Sequence, residues 1–238
     1  MSSPGCSGPP ATRSLGKSRR GGAQRKLRVP ARWAKLSGMA STRRTNALEG
    51  LLDKRNEHPE RITRIDQTIH ARFEQCHAVL VLDMCGFSRL TLRYGIIHFL
   101  AMIRRMNLIA RPAIEGARGR VVKTEADNVF AVFPDVPPAL TAARRIEIAL
   151  GRHNAVVPAD WDVHVGIGIG YGKLLMVGRH DLFGSELNLA SKLGEDVARP
   201  GEVLLTQAAG ARAGKWRARL RARRVKISGM TFGFHALA

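Results

Sequence analysis

Only three cysteines occur in 238 residues, Cys6, Cys76 and Cys85. Their number and spacing exclude a disulfide framework and a cysteine-based metal site, and they fit a reducing compartment. Long apolar runs are missing too. Runs such as AVLVL at 78–82 fall far short of the roughly 20 residues that span a bilayer. No apolar core follows the first residues, so no secretory leader is read there. A cytoplasmic protein with no membrane partner is the expectation. Acids are absent from two stretches: residues 1–38 hold nine Lys/Arg and no acid, and residues 212–226 hold eight and none. Together these 17 cations leave 22 bases against 19 acids elsewhere, so the middle of the chain is nearly balanced. Nucleic-acid binding argued from net charge would rest on the two ends alone and is not the expectation.

Residues 1–38 are rich in Gly, Pro, Ser and Arg and carry no aliphatic periodicity. Such a segment buries too little apolar surface to offset its ordering entropy, and disorder is expected. Three explanations stand for it. Met39-Ala-Ser-Thr opens a well-patterned chain, which favours a translation start there. A tail for nucleic acid or an anionic surface, and a transit peptide, are the alternatives. Residues 39–75 then read as helical. Leu48, Leu51 and Leu52 mark a short amphipathic piece. Pro59 suits the first turn of a second helix, which continues through Ile62, Ile65, Ile69 and Phe73 at spacings of three and four. That stripe favours packing within the chain over a partner helix.

From residue 76 to the end the pattern is that of a third, mixed unit. We read a strand at 78–83 and helix over 87–116, broken near Gly95 and Pro112. A hairpin at 119–133 and a helix at 137–150 follow. Strands at 162–169 and 173–177 form a second hairpin. Next come a helix at 185–197, a strand at 202–206 and two last strands near 216–226 and 230–236. The order β-α-β-β-α-β predicts an α+β fold of the ferredoxin-like kind, an antiparallel sheet with helices on one face.

Two acids stand out within this frame. Asp83 closes the strand AVLVL, and the segment VVKTEADNVFAVF (121–133) places Asp127 in the turn of its hairpin. Neighbouring strands lie about 5 Å apart, so carboxylates at adjacent strand ends can share a divalent cation. Either acid alone reads as an ordinary turn residue.

LDMCGFSRL (82–90), VVKTEADNVFAVF (121–133), VGIGIGYGKLL (165–175) and DLFGSELNLASKL (181–193) resemble, in order and spacing, the four motif blocks of class III adenylate/guanylate cyclase catalytic domains. GEVLLT (201–206) resembles the strand that follows, and the likeness spans about residues 76–236. The resemblance implies that Asp83 and Asp127 hold two Mg2+ or Mn2+ ions for in-line attack of a ribose 3′-hydroxyl on the α-phosphate. It casts the backbone amides of Met84, Cys85, Gly86 and Phe87 as holders of the terminal phosphates. Lys123 and Asp181 take the positions of the base-reading pair of adenylate-type members. An ammonium and a carboxylate complement the N1 acceptor and N6 donor of adenine, and guanine presents the reverse. The resemblance further implies a homodimer with sites at the interface, Asp83 and Asp127 of one chain facing Lys123, Asp181, Asn188 and Lys192 of the other.

Three positions depart from the family's pattern. Asn188 matches the ribose-orienting asparagine, but Lys192 stands where an arginine one turn later is expected, and lysine lacks the planar fork that grips two oxygens. Ala126 replaces a glycine before the second aspartate, which matters if φ there is positive. Glu125 is an extra acid on the face of Lys123. Lys226 is the nearest candidate for a C-terminal phosphate-binding lysine. GIGIGYG (166–172) sits within the second β-hairpin rather than between strand and helix, so its small residues are read as room for another backbone, not as a nucleotide loop. KWRARLRARR (215–224) alternates bases with apolar residues, as an edge strand with an outward arginine row would. The reading is an adenylate cyclase that takes ATP. The alternatives are a cyclase-like domain that binds a nucleotide or a protein without turnover, and an RNA-binding module using the basic termini. The Gly-Gly-Asp/Glu-Glu-Phe signature of diguanylate cyclases does not occur.

Overall fold

A computed structural model describes residues 45–227 and 230–238; the basic segment expected to be disordered lies outside them. After a helix α1 at 45–57, Pro59–Arg61 forms one 3-10 turn that leads into α2 (Ile62–Phe73). The stripe turns inward as expected. Ile69 and Phe73 meet Leu48 and Val177 in a small cluster, so these helices pack on their own chain.

Strand β1 (Glu74–Met84) is the spine of the molecule, with Ala78 to Leu82 wholly buried. A strand buried on both faces needs apolar residues at consecutive positions, which is what AVLVL supplies. It starts four residues before the expected position. The polar residues 74–77 carry no alternation, yet they pair with Leu175 to Gly172. Helix follows as α3 (Phe87–Tyr94) and α4 (Ile96–Glu115), separated at Gly95, whose φ of 84° only glycine adopts readily. Pro112 does not break α4. It is exposed and lies in the last turn, where the missing hydrogen bond falls on the solvent side. Phe99, Met102, Met106, Ala110 and Ile114 then line one face at spacings of three and four.

The hairpin β2 (Arg120–Glu125) and β3 (Asn128–Phe133) forms as expected, turning at Ala126 and Asp127. α5 (Val136–Asn154) starts on Asp135, whose carboxylate accepts the Val136 amide at 2.8 Å. The second expected hairpin is instead one strand, β4 (Val165–Val177), whose far end pairs with a short β5 (Asp181–Phe183). Tyr171 and Gly172 sit in mid-strand, paired with Ala78 and His77. After α6 (Ser185–Lys192) and one π turn at Leu193–Val197 come β6 (Val203–Thr206), α7 (Gln207–Ala211), β7 (Leu220–Ile227) and β8 (Met230–Leu237). Residues 214–219 form 3-10 helix, so the expected strand at 216 starts only at Leu220. From there β7 is the sheet edge, with Arg221, Arg223 and Arg224 exposed.

The eight-stranded sheet runs β2-β3-β1-β4-β6-β8-β7, with β5 attached to β4. Its first four strands have the ferredoxin-like order, while the parallel β4–β6 pair makes the whole sheet mixed rather than antiparallel. Helices cover both faces, not one. Leu80, Leu82 and Met84 point to α4 and α5, and Val79 and Val81 point to α6. The glycines of β4 let α6 lie close. A Cβ at Gly168 would overlap the Ala190 carbonyl, and one at Gly170 would sit 2.5 Å from the Glu186 carbonyl.

Candidate active site

Asp83, the last residue but one of β1, lies on the α6 side of the sheet by the same alternation that sends Val79 and Val81 there. Asp127 occupies the hairpin turn, just beyond the Leu82–Val129 pair that joins β1 to β3. The two acids meet electrostatically. Burial first, then the charges of Asp127, Glu195 and Asp196, push the Asp83 carboxyl up to about 7, against the pull of the Met84 amide. Glu195 and Asp196 belong to the π turn after α6. Burial, Asp196 and Asp127 raise Glu195 as well, while Lys192 and a Ser191 hydrogen bond oppose this. Nothing in the sequence marked these two acids, because a Glu-Asp pair beyond a helix reads as a solvated end.

A backbone irregularity aims Lys123. Val121 pairs with Ala131 and Lys123 with Phe130, so Val122 is an extra residue, a β-bulge. Without the bulge Lys123 would share the face of Val121, toward α4 and α5. With it, Lys123 lies on the face of Phe130, its Nζ 5.1 Å from that ring's centre. There it donates to Asp181 Oδ1 at 2.9 Å and to Glu125 Oε1 at 2.8 Å. Burial opposes the charge of Lys123, but Glu125 and Asp181 outweigh it and hold the ammonium's pKa above its ordinary value. Asp181 opens β5, and the same Oδ1 accepts the Leu182 amide at 2.9 Å.

The remaining expected residues divide. Asn188 and Lys192 share an exposed face of α6, and Lys192 lies 3.8 Å from Asp196 one turn on. Met84 is buried, and the Cys85 amide donates to the His164 carbonyl at 2.8 Å, so that donor is already used. Burial, then Asp83, push the Cys85 thiol up, which makes it a poor nucleophile. Gly86 takes φ 95° and starts α3 without a side-chain cap, leaving the first amides of that helix open to an anion. Lys226 is exposed on β7, four strands away from β1. Ala126 adopts φ 48°, the left-handed conformation that glycine would take without strain.

Among the described residues, no three His, Cys, Asp or Glu side chains cluster closely enough to hold a metal ion by themselves. Two carboxylates with open coordination suit Mg2+ or Mn2+, which keep waters and take phosphate oxygens for the rest of the shell. The donors are all oxygen. The site therefore fits such ions.

Comparison with solved structures shows which folds this one is similar to. The chain is similar to the guanylyl cyclase Cya2 at 17% identity and TM-score 0.60, over 69% of this chain and 92% of that one. It is similar to an adenylate/guanylate cyclase/hydrolase from Silicibacter pomeroyi at 26% identity and TM-score 0.55, over 69% and 98%. A bacterial light-regulated adenylyl cyclase matches at 19% identity and TM-score 0.59, over 69% of this chain and 52% of the other. This is the class III cyclase fold. No family model matches the chain. No curated protein matches it either. Both adenylyl and guanylyl cyclases share the cyclase fold, so the fold leaves the base open, and no described helix is long and apolar enough to cross a membrane.

Proposed function

We propose that the protein is an adenylate cyclase, converting ATP to 3′,5′-cyclic AMP and pyrophosphate at a site shared between two copies of the chain. The observation that carries the choice of base is the Lys123–Asp181 contact of 2.9 Å. Lysine has three donors, and Glu125 and Asp181 take two of them, leaving one for adenine N1. Asp181 spends Oδ1 on Lys123 and Leu182, which leaves Oδ2 to accept from the N6 amine. Guanine would set its N1–H against the ammonium and its O6 against the carboxylate. Mispairing of that kind discriminates strongly.

Asp83 and Asp127 would hold the divalent ions. Bound there, such ions would supply activation of the 3′-hydroxyl and neutralisation of the triphosphate. The chain's own groups do the rest. The open amides at Gly86 and Phe87 receive terminal phosphate oxygens. From the second copy, Asn188 orients the ribose and Lys192 offsets charge growing on the α-phosphate. The bond from the 3′-oxygen to phosphorus forms as the bond to pyrophosphate breaks, and the hydroxyl proton leaves to water. Lys123 and Asp181 serve the base of one site while Asp127, on the same hairpin, serves the phosphates of the other.

A second reading has its own support. Lys192 is turned toward Asp196, and Ala126 strains the turn that carries Asp127, as a domain that binds nucleotide without turnover would tolerate. One assay separates the readings. The full chain is incubated with ATP or GTP and Mg2+ or Mn2+, and cyclic product is measured against Asp127→Ala. Cyclic AMP above that control, with little cyclic GMP, is expected. Product at the control's level would favour the non-catalytic reading.

A further inference from the structure

One polar atom near the two acids has no partner. Asn128 Oδ1 is shut off from solvent and accepts no hydrogen bond. Its direction follows from the strand it starts. Val129, Ala131 and Phe133 turn to the α4–α5 side, and Phe130 and Val132 turn to the α6 side. Alternation puts Asn128 on the α6 side, where Asp83 also lies. The β1–β3 register runs out at Leu82 and Val129, so Asp83 and Asn128 hold the next facing positions. Asp127 is its neighbour in the chain. An amide oxygen buried with nothing to accept is costly, and a bound ion is one way to complete it. Of the five such side-chain atoms among the described residues, Asn128 Oδ1 is the one beside Asp83 and Asp127.

We propose that Asn128 is a third protein oxygen donor to the divalent ion held by Asp83 and Asp127. The inference rests on the metal reading given above and adds a donor of a different kind. A neutral carbonyl suits Mg2+ and Mn2+ and adds no further repulsion to a corner already holding Asp83, Asp127, Glu195 and Asp196. It adds a protein oxygen where, among the described residues, no three His, Cys, Asp or Glu side chains cluster closely enough to hold an ion.

The test is Mn2+ binding by the full chain without nucleotide, read from the free-Mn2+ paramagnetic resonance signal, with thermal midpoints in chelator alongside. Wild type is expected to bind and Asp127→Ala to lose binding. Asn128→Leu, close in shape but without the oxygen, should weaken Mn2+ binding about tenfold or more, while its midpoint in chelator stays equal or rises. Asn128→Asp should keep Mn2+ binding. Asn128→Ser gives the same comparison should the leucine variant not fold. Unchanged Mn2+ affinity in the variants lacking the amide would overturn the inference alone. Failure of wild type to bind Mn2+ would overturn the metal site as a whole, and this inference with it.

Discussion

At Asp83, burial and three neighbouring acids hold the carboxyl protonated up to a pKa of about 7. Its unfolded value is near 3.9, so the folded chain binds the extra proton between those limits. Without metal, stability should therefore fall as pH rises from about 4 to about 7. A bound cation reverses the preference, since only the carboxylate binds it. Apparent Mn2+ affinity should drop about tenfold per pH unit below 7 and level off above, measured by titration calorimetry at fixed ionic strength. A flat profile from pH 5.5 to 8 would contradict the raised Asp83 pKa, since a carboxyl already ionised at pH 5.5 offers the cation no proton to displace. The turn beside it supplies a second expectation. Ala126 at φ 48° bears a left-handed penalty that glycine avoids. Ala126→Gly should stabilise the fold by roughly 0.5–1 kcal/mol, the strain relieved less the entropy that glycine adds to the unfolded chain. Urea midpoints check it, and a lower midpoint would contradict it.

At the scale of elements, the close approach of α6 to β4 sets where Asn188 and Lys192 stand. Gly168→Ala would drive a methyl into the Ala190 carbonyl. Backbone cannot yield as a side chain does, so a loss of about 1–3 kcal/mol is expected in chemical denaturation, with nucleotide binding weakened alongside. A neutral outcome would mean that α6 is free to shift. The elements also show where the sequence was readable. AVLVL, the 121–133 hairpin and the glycine spacing of 166–172 announced themselves because short-range pattern alone decides them. β4 was not legible as one strand, because Tyr171-Gly172 has turn composition and only its pairing with β1 keeps it extended. KWRARL alternates every second residue, yet 214–219 coils as 3-10 helix and the sheet edge begins at Leu220. In the candidate site, Asp83 and Asp127 stood out as acids at adjacent strand ends, and Lys123 and Asp181 were named by the resemblance to the cyclase motifs. The bulge at Val122, the acids of the π turn and the orphan oxygen of Asn128 were not, since each depends on contacts between segments far apart in the chain.

At the scale of the whole molecule, the proposed function gives each chain two half-sites: the acids with the α3 amides, and the Lys123–Asp181 pair with the exposed face of α6. A shared site makes these halves separable by mutation. Asp127→Ala spoils one half and Lys123→Ala the other, so either variant alone should be inactive. Mixed under conditions that let subunits exchange, they form mixed pairs carrying one site with both halves intact. The measurement is cyclic AMP produced from ATP by the mixture against each variant alone and against wild type. Recovery to about a quarter of wild-type activity is predicted for random pairing. An active wild type with no recovery on mixing would contradict a site built from two chains.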